Sequence, residues 1–270
     1  MRVLHLIDSL SGAGGAEQGL VREITRFGPD IEQMVVLLYD RVDLVPELEA
    51  GGIPVEVIGL TEGSGSRSWP LALVPARRIA RSYRPDVIQT SLFLGNIVGQ
   101  VVGRSIGVPV VSNLVLSGDV DSLRAFQPGA DTRKARLLRS IAGLAARSPL
   151  VSFRALTEEF KDSNAALLGV DPERVTVIPR GVPRQDLDDP APREELGLPP
   201  GPLVVNVGRL APQKGQTYLV DAFARARETV PTAHLVIVGK AGAAEQEVLD
   251  AIDRSGLAGS VTITGYSTRV

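Results

Sequence analysis

The stretch Leu203–Phe223 reads LVVNVGRLAPQKGQTYLVDAF and constrains the fold more than any other part of the chain. Leu203, Val204, Val205 and Val207 form an apolar, largely β-branched run too short for a helix, which predicts a buried strand. Gly208 closes it, and Arg209, Pro212, Gln213, Lys214 and Gly215 make a polar loop. Tyr218, Leu219, Ala222 and Phe223 then fall at helical spacing. A helix entered this way starts with amides that have no intrahelical partner and carry partial positive charge, so the junction is a seat for an anion. Arg209 can fork onto phosphate oxygens and Lys214 adds a mobile point charge, so the pair is expected to flank a diphosphate. A solvated surface loop uses the same residue types, and spacing alone does not separate the two readings.

The rest of the chain repeats this alternation. Val3–Ile7, Met34–Tyr39, Val55–Ile58, Asp86–Thr90, Pro109–Val115, Leu150–Phe153 and Val175–Ile178 predict strands. Segments of helical length lie between them, among them 44–50, 72–83, 97–105, 132–146 and 157–168. Strand and helix in alternation imply right-handed parallel crossovers and a doubly wound sheet. Residues 1–185 are read as one such Rossmann-like domain. Residues 186–202, rich in proline and acids and poor in large apolar side chains, are read as a linker. From Leu203 the pattern resumes: helix 216–228, strand 234–238, helix 243–255 and strand 261–264. Residues 203–270 thus read as a second, incomplete Rossmann-like domain.

With 270 residues and 44% hydrophobic content the chain can fill two cores. A net charge of −2 gives no electrostatic case for nucleic acid. The absence of cysteine removes disulfides, thiolate nucleophiles and cysteine metal sites. The two histidines, His5 and His234, each sit within an apolar strand and read as packing residues, so no metal site is expected. MRVLHLIDSL is too short and too polar for a signal peptide, and the apolar segment 96–116 is broken by Gln100, Arg104, Gly107 and Pro109. A cytoplasmic protein is expected.

After the first strand, Gly12, Gly14 and Gly15 form a turn ahead of a helix near Ala16. The spacing is not G-x-G-x-x-G, so the dinucleotide reading is weak, but glycine lets a ligand approach the backbone. Arg133, Lys134, Arg136, Arg139 and Arg147 put a basic stripe on helix 133–147. It reads as a solvated face.

G-R-L-A-P-Q-K-G at Gly208–Gly215, G-G-A-E at Gly14–Glu17 and V-I-P-R-G-V at Val177–Val182 together resemble the retaining, nucleotide-sugar-dependent glycosyltransferases of the GT-B fold, group 1 and family 4-like. The resemblance implies two Rossmann-like domains and no cofactor beyond a nucleoside diphosphate sugar as donor substrate. Its acceptor would be a glycan, a lipid or a small molecule, and by likeness to members that act on lipids the basic helix 133–147 would make peripheral contact with the inner membrane face. Gly208, Arg209 and Lys214 would bind the donor diphosphate, Arg209 and Lys214 stabilising its charge during transfer. Gly14 and Gly15 would touch it from the first domain. Arg180 and Pro183 stand where the family has Asn and Asp, and Gly181 is expected to turn the chain with positive φ. Gln89, Ser91, Leu94 and Val115 occupy positions where many members carry histidine. The family continues with a Glu pair for donor sugar and ribose, so this chain resembles a truncated member. The alternatives are a non-catalytic remnant or partner subunit, and a GT-B sugar epimerase.

Overall fold

The computed structural model describes residues 1–12, 15–60, 69–114, 133–181, 193 and 197–267. The chain divides into two compact units, Met1–Val182 and Pro183–Val270. Most of the stretch read as a linker, and Gly14 and Val115, lie outside the described residues.

Unit 1 is a parallel α/β unit built on β1 (Arg2–Ile7), β2 (Glu32–Tyr39), β3 (Val55–Leu60), β4 (Val87–Ser91), β5 (Val110–Leu114), β6 (Val151–Ala155) and β7 (Val175–Val177). The sheet order is β3-β2-β1-β4-β5-β6-β7, with every pair parallel. The helices are α1 (Gly15–Ile24), α2 (Val45–Ala50), α3 (Trp69–Tyr83), α4 (Phe93–Ile106), α5 (Arg133–Ala146) and α6 (Glu158–Leu168). β1 is buried along nearly its whole length because helices pack on both of its faces. Leu4 and Leu6 join one core cluster with Val98, Val102 and Phe153, whereas Ile7 joins the other with Leu20, Ile24 and Leu48. The alternation follows from the two-residue repeat of a strand.

Local chemistry sets several boundaries. The Thr157 hydroxyl accepts a hydrogen bond from the Phe160 amide at 3.2 Å and starts α6, and Gly169, at φ 63°, ends it in the left-handed conformation. Helix α4 begins at Phe93, one turn earlier than the apolar spacing from Ile97 indicates, because Leu92 turns the chain sharply after β4. Gly181 is not among the positive-φ residues. The chain leaves β7 without the turn expected there, and the preceding Arg180 reaches back to α1.

Unit 2 has β8 (Leu203–Val207), α7 (Gln216–Thr229), β9 (His234–Val238), α8 (Glu245–Arg254) and β10 (Val261–Gly265). Its parallel sheet runs β10-β9-β8. Leu235 and Ile237 of the central strand are fully buried with Val220, Phe223 and Val248. β8 corrects an expectation. Among the described residues only β9 pairs with it, which makes it an edge strand, and Val205 and Val207, two residues apart and so on one face, are 57% and 55% exposed. An apolar β-branched run signals strand, but it does not say how many neighbours that strand has.

Both histidines are structural. His5 is fully buried, its Nε2 lying 3.1 Å from Gln33 Oε1, and burial pulls its pKa down to about 4 against the raising effect of hydrogen bonds to Gln33 and Gln89. His234 Nε2 bridges to Thr262 Oγ1 of the adjacent strand at 2.8 Å. Among the described residues no helix is long and apolar enough to cross a membrane, and no cluster of metal-ligating side chains is formed.

Candidate functional site

The expected anion seat lies at the carboxyl end of β8. A short 3-10 turn, Pro212–Lys214, follows the strand, and Gly215 in the left-handed conformation (φ 66°) redirects the chain into α7. Helix α7 has no side-chain cap, in contrast to α6, so its first amides are not claimed by a local oxygen. Gln216, 1% exposed, pins the loop from beneath. Its Nε2 donates to the Arg209 carbonyl at 3.1 Å and lies 3.4 Å from both Asn206 Oδ1 and the Gly208 carbonyl. Leu210, fully buried, anchors the same loop in the core.

Between these anchors Arg209 and Lys214 project into solvent. The Lys214 stem folds back over Gly208, its Cγ and Cδ lying 3.8 and 3.7 Å from where a Cβ on that glycine would sit. A Cβ there would sit in ordinary van der Waals contact with the lysine stem. Arg209 lies over the neighbouring loop, its Cγ 3.3 Å from the Cβ position of Gly242. Among the described residues neither cation is paired with a carboxylate. Gly208, Arg209 and Lys214, separated by the loop in sequence, are thus gathered at one strand end.

Two glycines that the motif did not single out make this possible. A Cβ on Gly239 would fall 2.0 Å from the Gly208 carbonyl oxygen, and one on Gly242 would fall 2.3 Å from the Leu210 carbonyl oxygen. The loops after β8 and β9 therefore run backbone against backbone. Hydrogen bonds from Gly208 N to Val238 O (2.8 Å) and from Leu210 N to Lys240 O (3.0 Å) hold them together. The spacing Gly239-x-x-Gly242 directly after an apolar strand was the available signal.

In unit 1, β1 and β4 are neighbours from which the chain winds in opposite directions, the switch point where open α/β sheets form a crevice. Gly15 opens α1 there, and a Cβ on it would meet nothing within 4 Å, so its backbone is sterically accessible. Gly14 lies outside the described residues. The start of α4 is already occupied by Asp8, whose carboxylate accepts from Gly95 N at 2.5 Å and from Leu94 N at 3.4 Å. Burial pushes the Asp8 carboxyl up to about 6, outweighing the two amides that lower it, with Glu17 adding to the rise. The junction that aims α4 at Asp8 is strained, since Leu92 sits at φ 66°, ψ 173°, a region otherwise left to glycine.

Ser91 and Gln89 are accounted for structurally. Ser91 Oγ accepts from Asn113 Nδ2 at 2.9 Å, and Gln89 hydrogen-bonds His5. Beside them a buried relay runs from Gln100 Nε2 to Ser112 Oγ (2.9 Å), on to Thr90 Oγ1 (2.8 Å) and to Asn96 Oδ1 (2.7 Å), tying α4 to β4 and β5.

Comparison with known proteins agrees with this architecture. Residues 11–181 match the glycosyl transferase 4-like domain, and residues 188–270 match the glycosyl transferases group 1 domain. The D-inositol 3-phosphate glycosyltransferase of Segniliparus rotundus is 28% identical over 67% of this chain and 41% of its own length. That of Xylanimonas cellulosilytica is 26% identical over 88% and 57%. The 2-deoxystreptamine glucosyltransferase of Streptomyces kanamyceticus is 27% identical over 98% and 69%. Among solved structures, Anabaena HepE in complex with UDP superposes with a TM-score of 0.76 at 25% identity, covering 100% of this chain and 70% of that one. The chain thus spans 41% and 57% of the length of the first two of these relatives. With a 4-like domain in its first unit and a group 1 domain in its second, the chain belongs to the group 1 glycosyltransferase family of the GT-B fold.

Proposed function

We propose that the protein takes part in sugar transfer from a nucleoside diphosphate sugar to a hydroxyl acceptor, with retention at the anomeric carbon and without a metal ion. The observation that carries this reading is the pair of exposed, unpaired cations, Arg209 and Lys214, beside the uncapped start of α7. In the transfer the bond from the anomeric carbon to the diphosphate oxygen breaks, a bond to the acceptor oxygen forms, and the acceptor proton passes to the departing diphosphate. Negative charge grows on the leaving oxygens. The Arg209 guanidinium, the Lys214 ammonium and the amides of Gly208 and α7 answer it with fixed donors and charge. Gly14 and Gly15 are assigned the role of backbone contacts to the donor. The UDP bound to HepE and the glycosyltransferase names of the relatives support a nucleotide-sugar donor.

Calorimetric titration with UDP, GDP and ADP tests the reading. Arg209→Ala and Lys214→Ala should each weaken the preferred nucleotide by about tenfold or more, the value of a charge-assisted hydrogen bond. Unchanged affinity in both variants overturns it. Nucleotide binding with neither transfer nor donor hydrolysis would favour the non-catalytic alternative.

A second observation concerns the acceptor side. Helix α5 exposes Leu137 (62%) and Leu144 (64%), two turns apart, among exposed Arg133, Arg136 and Arg147. Apolar side chains flanked by guanidiniums suit the interface of an anionic bilayer, so α5 is assigned peripheral membrane contact. Co-sedimentation with phosphatidylglycerol vesicles but not phosphatidylcholine vesicles, lost in a Leu137→Gln/Leu144→Gln variant, is the expected result.

A further inference from the structure

Helix α1 is gripped from outside by two guanidiniums of unit 1. Arg180, just beyond β7, donates from Nη1 to the Gly15 carbonyl at 2.8 Å, across 165 residues of sequence. Arg154, on β6, bonds Glu23 near the other end of α1 at 2.5 Å and donates from Nε to the Ile178 carbonyl at 3.2 Å. The segment carrying Arg180 is therefore itself tied to the sheet.

Gly19 makes room for this contact. A Cβ there would lie 2.2 Å from the Arg180 Cζ, 2.3 Å from Nη1 and 2.5 Å from Nε. A glycine inside a helix costs roughly 1 kcal/mol relative to alanine, so this bare spot is a local penalty matched by the guanidinium that fills it. Burial lowers the Arg180 pKa, with Glu23 opposing and Arg154 and Arg22 adding to the fall. The pocket between these groups, walled by Ser91, Asn113, Arg154 and Arg180, has a volume of about 10 Å³. That is room for one water-sized atom and not for a sugar or a phosphate, so the two guanidiniums act on the helix and not on a ligand in the pocket.

We infer that Arg180 is a positioning residue: by holding the first carbonyl of α1 across the bare face of Gly19, it fixes where Gly15 presents its backbone to the donor diphosphate. The inference rests on the donor reading above, through Gly15. It makes Arg180 and Gly19 a matched pair, in which replacing either should have the same effect.

The test uses the full chain with Arg180→Gln, Arg180→Lys and Gly19→Ala. By helix propensity alone Gly19→Ala should tighten α1, whereas loss of the clamp should loosen it, so the two roles predict opposite signs. Hydrogen exchange of the amides of residues 15–19 should accelerate about tenfold in Arg180→Gln and in Gly19→Ala, and UDP affinity should fall about fivefold in both, the worth of one such hydrogen bond. Arg180→Lys, which keeps the charge and one donor, should recover part of each loss. Unchanged exchange in either variant overturns the inference. So does faster exchange with undiminished UDP affinity, because Arg180 would then serve the fold alone while the donor reading stands. If Arg209→Ala and Lys214→Ala leave UDP binding intact, the donor reading fails instead, and the exchange measurement still decides whether the clamp exists.

Discussion

His5 of β1 and Asp8, the residue just after that strand, carry opposite pH dependences over nearly the same window. His5 is buried, and its pKa falls from 6.5 to about 4, so the stability that comes from keeping it neutral is present above pH 6.5 and is lost as pH falls through 4. Asp8 moves the other way, from 3.8 to about 6, so its contribution is present below pH 3.8 and is lost as pH rises through 6. Each shift corresponds to roughly 3 kcal/mol at most, and between pH 4 and 6 the two slopes largely cancel. The unsubstituted protein should therefore show nearly constant stability from these groups across that window. Asp8→Asn should expose the histidine slope, so that the urea midpoint of unit 1 falls on acidification from pH 6 to 4. His5→Gln should expose the carboxylate slope, with the midpoint rising over the same change. Chemical denaturation at three pH values checks both, and parallel profiles in the two variants would sink the assignment. Sequence gave the placement of His5 in an apolar strand. It gave no sign that Asp8 would be the oxygen that occupies the start of α4, because that contact spans 87 residues.

At the level of elements, the candidate site depends on how closely two strand-to-helix loops approach. Gly239→Ala places a methyl 2.0 Å from the Gly208 carbonyl oxygen, where only backbone can yield. The loop after β8 must move, and unit 2 should lose about 1–3 kcal/mol, with nucleotide affinity falling as Arg209 and Lys214 shift with it. Gly15→Ala is the contrasting case, since nothing lies within 4 Å, and it should leave stability intact or slightly raised. Thermal melts of the two variants give the comparison, and equal destabilisation would contradict it. The difference between them marks what was legible in the sequence. The order of strands and helices could be read because apolar periodicity is local, and Gly208, Arg209 and Lys214 could be read because they lie on one continuous motif. The exposure of β8 and the strain at Leu92 depend on which segments become neighbours, and no window of residues records that, whereas Gly239-x-x-Gly242 marks a turn locally but does not say that the backbone at Gly208 and Leu210 faces it. The Arg180–Gly19 pair was hidden for the same reason: Arg180 reads as a motif substitution, and nothing local to Gly19 points to a partner 161 residues away.

Across the whole molecule, the described core residues fall into three clusters, two flanking the sheet of unit 1 and one inside unit 2. Each unit thus has a core of its own, and each should unfold as its own cooperative step. Leu235→Ala removes a fully buried side chain from the centre of the smaller core and should cost about 2–5 kcal/mol there, moving one calorimetric transition and leaving the other in place. The same separation gives the donor reading a thermodynamic test that needs no acceptor. A ligand at 100 times its dissociation constant adds about 2.7 kcal/mol to whatever it binds, and in a unit as small as the second this is a rise of roughly 10 °C or more in midpoint. If Arg209 and Lys214 hold the diphosphate, UDP must raise the transition that Leu235→Ala lowers, and Lys214→Ala must reduce the rise. A shift confined to the other transition would place the nucleotide on unit 1 alone and remove the β8–α7 junction from the site.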